Sequence, residues 1–341
     1  MVKRPTIEDL AKAAGVSVAT VDRVLNRRLP VREDTAILVV RAAESIGYHA
    51  TSLLKRRLTE VLPRKFAFLL QKPDAFYHLL AKELTQATKA ARDIEGKCHV
   101  EFIDQLVPAL IAQRIRDVAP KFHATAVVAM DHPLINEAVA EMTASGHPVF
   151  TMLGAISSGG STGHIGLDGR KCGRIAGWTI SRMAGKSGKI GMIVGSHGYL
   201  HQELSEISFR TYMREHAPDF QLLEPIINLD DESIAYDTVT SMIKANDDLV
   251  GIYVAGGGQE GLIRALRERM STSRLVAVCN ELTAASRQAL IDDVIDMALV
   301  TPIELLSKRL VEMMIKASTA ADMPHYPPVL LPPSIYMSEN I

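Results

Sequence analysis

Thr6-Ile7-Glu8-Asp9-Leu10-Ala11-Lys12-Ala13-Ala14-Gly15-Val16-Ser17-Val18-Ala19-Thr20-Val21-Asp22-Arg23-Val24-Leu25-Asn26 is the stretch from which the organisation of this chain is read. Thr6 stands where a hydroxyl caps the free N–H groups of a helix start, with Asp9 three residues on, near the positive end of the dipole. Ile7, Leu10, Ala11 and Ala14 follow helical spacing, and Gly15 supplies the left-handed residue that ends the run. After a turn of about three residues Ser17 can cap a second helix, whose Val21, Val24 and Leu25 face inward. Ala19, Arg23 and Arg27 recur four apart on another face. A third helix is predicted from Glu33 to Ile46, with Ala36, Val39 or Val40, Ala43 and Ile46 inward and Gly47 as its stop. This is a helix-turn-helix closed by a third helix into one small core. The second helix suits a major groove: its N-terminal turn can approach phosphates, Val18 and Ala19 are small enough to approach base edges, and Arg23 is the best base reader. A plain helical bundle with solvated arginines has the same periodicity.

Charge divides the chain in the same place. The 341 residues are 47% hydrophobic and 23% charged with a net charge of -1, an ordinary globular composition with room for two domains. Residues 1–65 hold 13 Lys+Arg against 7 Asp+Glu, and the remainder holds 25 against 32, so a +6 head precedes a -7 body. A basic head suggests an anionic polymer as its partner. No apolar run approaches the ~20 residues that cross a bilayer, and Glu8 and Asp9 follow the N-terminus where a signal peptide would be apolar, so no membrane partner and a cytoplasmic location are expected. Cys98, Cys172 and Cys279 lack any metal-ligand or C-x-x-C spacing and read as small apolar filler.

The stretch Thr6 to Asn26 closely resembles the DNA-binding signature of the LacI/GalR family of bacterial transcription regulators. The resemblance implies that Val18, Ala19 and Arg23 occupy base-reading positions, while Thr6, Ser17, Thr20 and Asn26 make phosphate contacts or caps. Tyr48, after Ile46-Gly47, also matches. Asp22 departs from the serine usual in the family. A carboxylate among phosphates is unfavourable unless it accepts from a cytosine amino group or is held by a neighbouring arginine, so an altered operator preference is expected.

Residues 51–63, with Thr51-Ser52-Leu53-Leu54-Lys55-Arg56-Arg57-Leu58 and Pro63, read either as a plain linker or, by the resemblance, as a hinge helix that levers a leucine into the minor groove. Counted from Tyr48, the wedge position holds Arg57, with Leu58 beside it and Leu54 one turn earlier. Arginine suits a narrow minor groove but does not unstack bases as an apolar wedge does.

From Lys65 the chain alternates β-rich and helical runs, with strands predicted at 66–70, 100–103, 126–130, 149–153, 190–194, 222–227, 250–254 and 275–278. Nearly continuous apolar strands separated by helices argue for parallel sheets covered on both faces. Two doubly wound lobes are favoured over a single (β/α)8 barrel because the strand spacing breaks at Gly163 to Gly169. The family resemblance implies the same: a body like the periplasmic sugar-binding proteins of type I, lobes joined by three crossings. The fold expected is thus an all-α helix-turn-helix domain (1–50), a hinge (51–63) and an α/β two-lobed body (64–341), each lobe a doubly wound parallel sheet. Lobe one takes about 64–166 and 300–327, lobe two about 167–299 and 328–341.

In open α/β sheets ligands bind beyond the carboxyl ends of the strands. The residues there are Gln71, Phe76, Tyr77, Asp131, Asp168, Arg170, the segment His201 to Glu206 with Ser205 at the place of a usual family arginine, Gly257, Gly258, Glu281 and Thr301. Aromatic faces with carboxylates and Arg suit a sugar, polyol or sugar phosphate as effector. The rival is an NAD-linked oxidoreductase: Gly256-Gly257-Gly258-Gln259-Glu260-Gly261 fits G-x-G-x-x-G after a strand, with Glu281 about 20 residues on. A loop closing over a small effector needs the same backbone freedom. Gly185-Lys186-Ser187 imitates a phosphate loop in the wrong strand–helix order, and His197, His201 and Glu203 fall in a post-strand segment. No cofactor, metal or catalytic residue is expected. The expectation is a repressor that binds a palindromic operator as a homodimer under the control of a small effector.

Overall fold

The computed structural model describes residues 5–26, 31, 33–51, 54, 62–71, 74–157, 159–196, 198–269, 274–320 and 323–341. Helices α1 (Ile7–Ala14), α2 (Val18–Asn26) and α3 (Glu33–Ser45) form the head. Thr6 and Asp9 close a reciprocal capping box, the Thr6 N–H donating to Asp9 Oδ2 at 2.8 Å. Gly15 and Gly47 take φ of 67° and 64°, the left-handed stops expected of them. Leu10, Val21, Val24, Val39 and Ala43 fill the head's core, as the 3.6-residue spacing requires.

The body holds two sheets. Its elements are β1 (Leu62–Gln71), α4 (Ala75–Ala90), β2 (Ile94–Ile103), α5 (Pro108–Val118), β3 (Ala124–Val127), α6 (Pro133–Ala144), β4 (Val149–Met152) and β5 (Gly163–Leu167). There follow α7 (Gly169–Met183), β6 (Lys189–Val194), α8 (Leu200–His216), β7 (Gln221–Leu222), β8 (Ile226–Ile227), α9 (Glu232–Ala245) and β9 (Leu249–Val254). The last are α10 (Gln259–Glu268), β10 (Val276–Asn280), α11 (Ala284–Ile291), β11 (Met297–Val300), α12 (Ile303–Thr319), β12 (Val329–Leu331) and β13 (Ser334–Tyr336).

The first sheet runs β12-β5-β4-β3-β1-β2 and the second β13-β11-β10-β9-β6-β7, with β8 also on β6. The described pairs are parallel except β11 with β13. Both sheets share one winding, in which the order reverses between β1 and β3 and again between β6 and β9. Those switch points leave crevices at the strands' carboxyl ends. A single barrel is thereby excluded. The chain passes between sheets after β5, after β11 and between β12 and β13. The third crossing corrects the lobe boundary drawn at residue 328, since Val329–Leu331 pairs with Ile165–Leu167 of the first sheet.

Strands β5, β11, β12 and β13 were not among the predicted runs. Gly163-His164-Ile165-Gly166-Leu167 is too rich in glycine to read as a strand, yet its glycines admit Tyr326, Phe150 and the His164 ring, which a Cβ would meet. Gly169, Gly173 and Gly177 recur four apart on α7 and let α8 approach so closely that added Cβ atoms would meet His201, Ser205, Ser208, Phe209 and Tyr212.

Candidate nucleic-acid face and interlobe cavity

On α2 the buried Val21 and Val24 fix the helix against the head's core, so the opposite side is presented outward. Val18, Ala19, Arg23 and Asn26 are exposed there and Asp22 is half-buried. Their spacing puts them on one face. Ser17 caps the helix, accepting from the Thr20 N–H at 3.2 Å, and the two hydroxyls lie 2.9 Å apart. Asp22 is held, but not by an arginine: Asn26 Nδ2 donates to its Oδ1 at 2.6 Å. The amide assigned to phosphate contact is thus occupied by the departure residue one turn earlier. Two expected contacts sit elsewhere. Tyr48 is 8% exposed and Leu54 fully buried, both packed in the head's core, so apolar burial claims them before a groove can. Arg27, Arg57 and Leu58 lie outside the described residues.

In the body, the carboxyl ends of both sheets face a cavity of about 470 Å³. Nine residues predicted for the effector site line it: Gln71, Phe76, Tyr77, His201, Gln202, Gly257, Gly258, Glu281 and Thr301. Gln71 ends β1 and Tyr77 stands on the first turn of α4, so the strand and its following helix bring them together. Tyr77 Oη donates to Gln71 Oε1 at 3.0 Å, and Gln71 Nε2 donates to Tyr199 Oη at 2.6 Å. Tyr199 precedes α8 of the second lobe, so this chain of hydrogen bonds spans the cleft. Burial pushes the Tyr77 phenol well up and raises that of Tyr199 to about 12, keeping both neutral.

Glu281 stands at φ 66° after β10. Thr301, at the second crossing, donates to its carboxylate through Oγ1 at 2.5 Å and N–H at 3.2 Å. Burial raises Glu281 to about 7, against those two hydrogen bonds. Burial also takes His201 down to about 4, with the nearby His164 adding to the effect, and the buried His201 Nδ1 has no partner.

Four of the residues singled out by number do not line the cavity. Asp131 accepts from Asn136 Nδ2 and from the N–H and Oγ of Ser157, tying its loop together. Those bonds hold its carboxyl below the usual range in spite of partial burial. Asp168 caps α7 through the Lys171 N–H. Arg170 is exposed on α7. Ser205 is buried at the α7–α8 contact and donates to the His201 carbonyl at 2.8 Å. Sequence reading missed Tyr199 and Asp230. A polar residue after the short β8 was the available signal for Asp230, but two-residue strands carry no periodicity.

Asp230 decides the nature of the glycine loop. Gly257 N–H donates to Asp230 Oδ1 at 2.6 Å, and a Cβ on Gly195, Gly256 or Gly257 would meet the Asp230 side chain. The loop cradles the protein's own carboxylate where a dinucleotide would place its pyrophosphate. The arrangement disfavours the oxidoreductase reading. His197 lies outside the described residues, and no cluster of metal-ligating side chains occurs among the described residues.

Two facing doubly wound sheets with a cavity between their switch points, in a chain headed by a helix-turn-helix, define a two-lobed binding protein carrying a regulatory head. Residues 66–321 match the periplasmic binding protein domain family, to which the chain belongs, and residues 6–51 match the lacI family of bacterial regulatory proteins. The chain is 39% identical over 77 residues to the HTH-type transcriptional regulator GalS of Salmonella typhimurium, covering 23% of each. It is 43% identical over 60 residues to GalR of the same species, covering 17% of this chain and 18% of that one. The chain thus matches less than a quarter of the length of these curated relatives. Among solved structures, a solute binding protein from Agrobacterium vitis bound with alpha-D-tagatopyranose aligns at TM-score 0.73 and 18% identity over 81% of this chain and 95% of that one. A putative LacI transcriptional regulator from Bacteroides fragilis aligns at TM-score 0.71 and 16% identity over 82% and 98%. At these identities the likeness is one of fold. No helix among the described residues is long and apolar enough to cross a membrane.

Proposed function

We propose that this chain is a cytoplasmic, sequence-specific DNA-binding transcription regulator: a repressor that binds a palindromic operator as a homodimer and is controlled by a small carbohydrate-like effector held between the lobes. The observation that carries the reading is the exposed face of α2, where Val18, Ala19 and Arg23 stand clear of the head's core within a stretch matched to the lacI family. One head reads too few bases for an operator, so two copies on two half-sites are required. Effector binding between the lobes couples to the head by ~1–3 kcal/mol, the range of ordinary allosteric coupling.

The supporting experiment is operator selection from random duplexes with full-length protein, followed by binding across salt concentrations. A palindromic consensus and a steep salt dependence are expected. In the same selection Asp22→Ser should change the preferred half-site, because it removes a carboxylate from the reading face and frees Asn26. An unchanged consensus would remove Asp22 from recognition, and a non-palindromic site bound by monomer would overturn the dimeric reading. Binding of NAD that Gly258→Val abolishes, with indifference to Arg23→Ala in every assay, would restore the enzyme reading.

A further inference from the structure

Among the described residues, the side-chain charge lining the interlobe cavity is of one sign. Asp74, Asp230, Asp231, Glu232, Glu260 and Glu281 line it, and no lysine or arginine does so among the described residues. Of the described lining residues, His201 is the histidine, and burial keeps it neutral near pH 7.

A second observation asks for a donor. Gln259 lines the cavity, is 7% exposed, and directs Nε2 to Glu260 Oε1 at 3.4 Å. That contact fixes the amide's orientation, because a carboxylate accepts only, and leaves Gln259 Oε1 as a buried acceptor without a partner. A buried acceptor left so is destabilising, a penalty that a ligand N–H or O–H would remove.

The third observation is aromatic. Phe76, Tyr77 and Tyr199 bring three rings to the same cavity. Ring faces attract cations and also cover the CH surfaces of a sugar. An anion has the opposite prospects. The backbone amide that would best receive a phosphate, Gly257 N–H, already donates to Asp230, and the surrounding carboxylates repel a second negative group.

We propose that the effector is a small polyhydroxylated amine, an amino sugar or amino alditol bound as its ammonium form, and not a phosphorylated or carboxylated sugar. The inference rests on reading the interlobe cavity as the effector site. It narrows that reading from carbohydrate-like ligands in general to those carrying positive charge.

Calorimetric titration of the full-length protein near pH 7 tests it with matched probes: 1-amino-1-deoxy-D-sorbitol against D-sorbitol, D-glucosamine against D-glucose, and D-glucose 6-phosphate and D-gluconate as anions. In at least one pair the ammonium member should bind about tenfold or more tightly than its neutral counterpart, the equivalent of about 1.4 kcal/mol. The advantage should shrink in Glu260→Gln or Glu281→Gln, with both variants checked for a single cooperative thermal unfolding transition. Tightest binding by an anion, ammonium members no tighter than neutral ones, or no binding by any probe overturns the proposal. The two readings fail differently. Neutral-polyol binding that Phe76→Ala weakens, with no ammonium advantage, overturns the charge inference and keeps the cavity as the effector site. Ligand binding indifferent to Phe76→Ala, Glu260→Gln and Glu281→Gln overturns both.

Discussion

The head and the body build their recognition surfaces in opposite ways. The head's face comes from nine consecutive residues of α2, where positions four apart in sequence are adjacent in space. The body's cavity collects residues from Gln71 to Thr301, brought together only because two sheets of identical winding point their carboxyl ends at one another. Damage to packing should therefore abolish the body's site wherever it falls along the chain. A side chain on the head's face can change without disturbing any core.

The largest expected effect is on the body. In Gly173→Leu the new side chain would enter the α7–α8 contact, where even a Cβ meets Ser205, Ser208 and Phe209, two of those atoms belonging to backbone that cannot step aside. Overpacking there should cost about 4 kcal/mol or more and lower the Tm by about 10 °C or more. Calorimetry of full-length protein checks it; an unchanged Tm would mean that the helices are not held at this separation. The head gives the contrasting case. Arg23→Ala removes an exposed side chain, so the Tm should stay within about 1 °C while operator binding weakens by ~1–3 kcal/mol. Loss of stability together with affinity would erase the distinction between the two regions.

The same contrast explains what could be read in the sequence. The cap at Thr6, the stops at Gly15 and Gly47 and the inward Val21 and Val24 are local features, and each stands where its spacing put it. Tyr48 and Leu54 were harder, because a resemblance assigns a position without saying whether apolar burial in the head claims the side chain first. In the body, the residue at or just beyond the end of a long apolar strand was legible: Gln71 at the end of β1, Gly257 after β9 and Glu281 after β10 all reach the cavity. Asp131 and Asp168 obey the same rule and fail, since each spends its carboxylate on the turn or helix that follows. Asp230 and Tyr199 escaped because the first follows a two-residue strand and the second a loop, neither with a period to count. The G-x-G-x-x-G spacing was present, but what fills the loop was not, because Asp230 lies 26 residues before Gly256 in sequence.

The smallest effect concerns Glu281 and separates burial from ligand chemistry. Its acid is raised to about 7 from an ordinary 4.5, so in the folded protein it holds a proton that the unfolded chain has already lost between those values. Stability should therefore fall as pH rises through that window and level off above about 7. His164 and His201 run the other way. Burial lowers both to about 4 from 6.5, so their contribution is present above 6.5 and is lost as pH falls toward 4. The histidines of the unfolded chain titrate around 6.5, so the two effects oppose one another up to about pH 7.5, and comparison with a Glu281 variant isolates the glutamate. Glu281→Gln keeps an acceptor for Thr301 and cannot ionise. Its Tm relative to the parent should rise between pH 6 and pH 8, by an amount on the order of 1 kcal/mol or about 2–4 °C. Parallel pH dependences for the two proteins would show that the carboxylate ionises as if in water. The cavity would then be wetter than its burial implies, and an ammonium there would gain correspondingly less from Glu281.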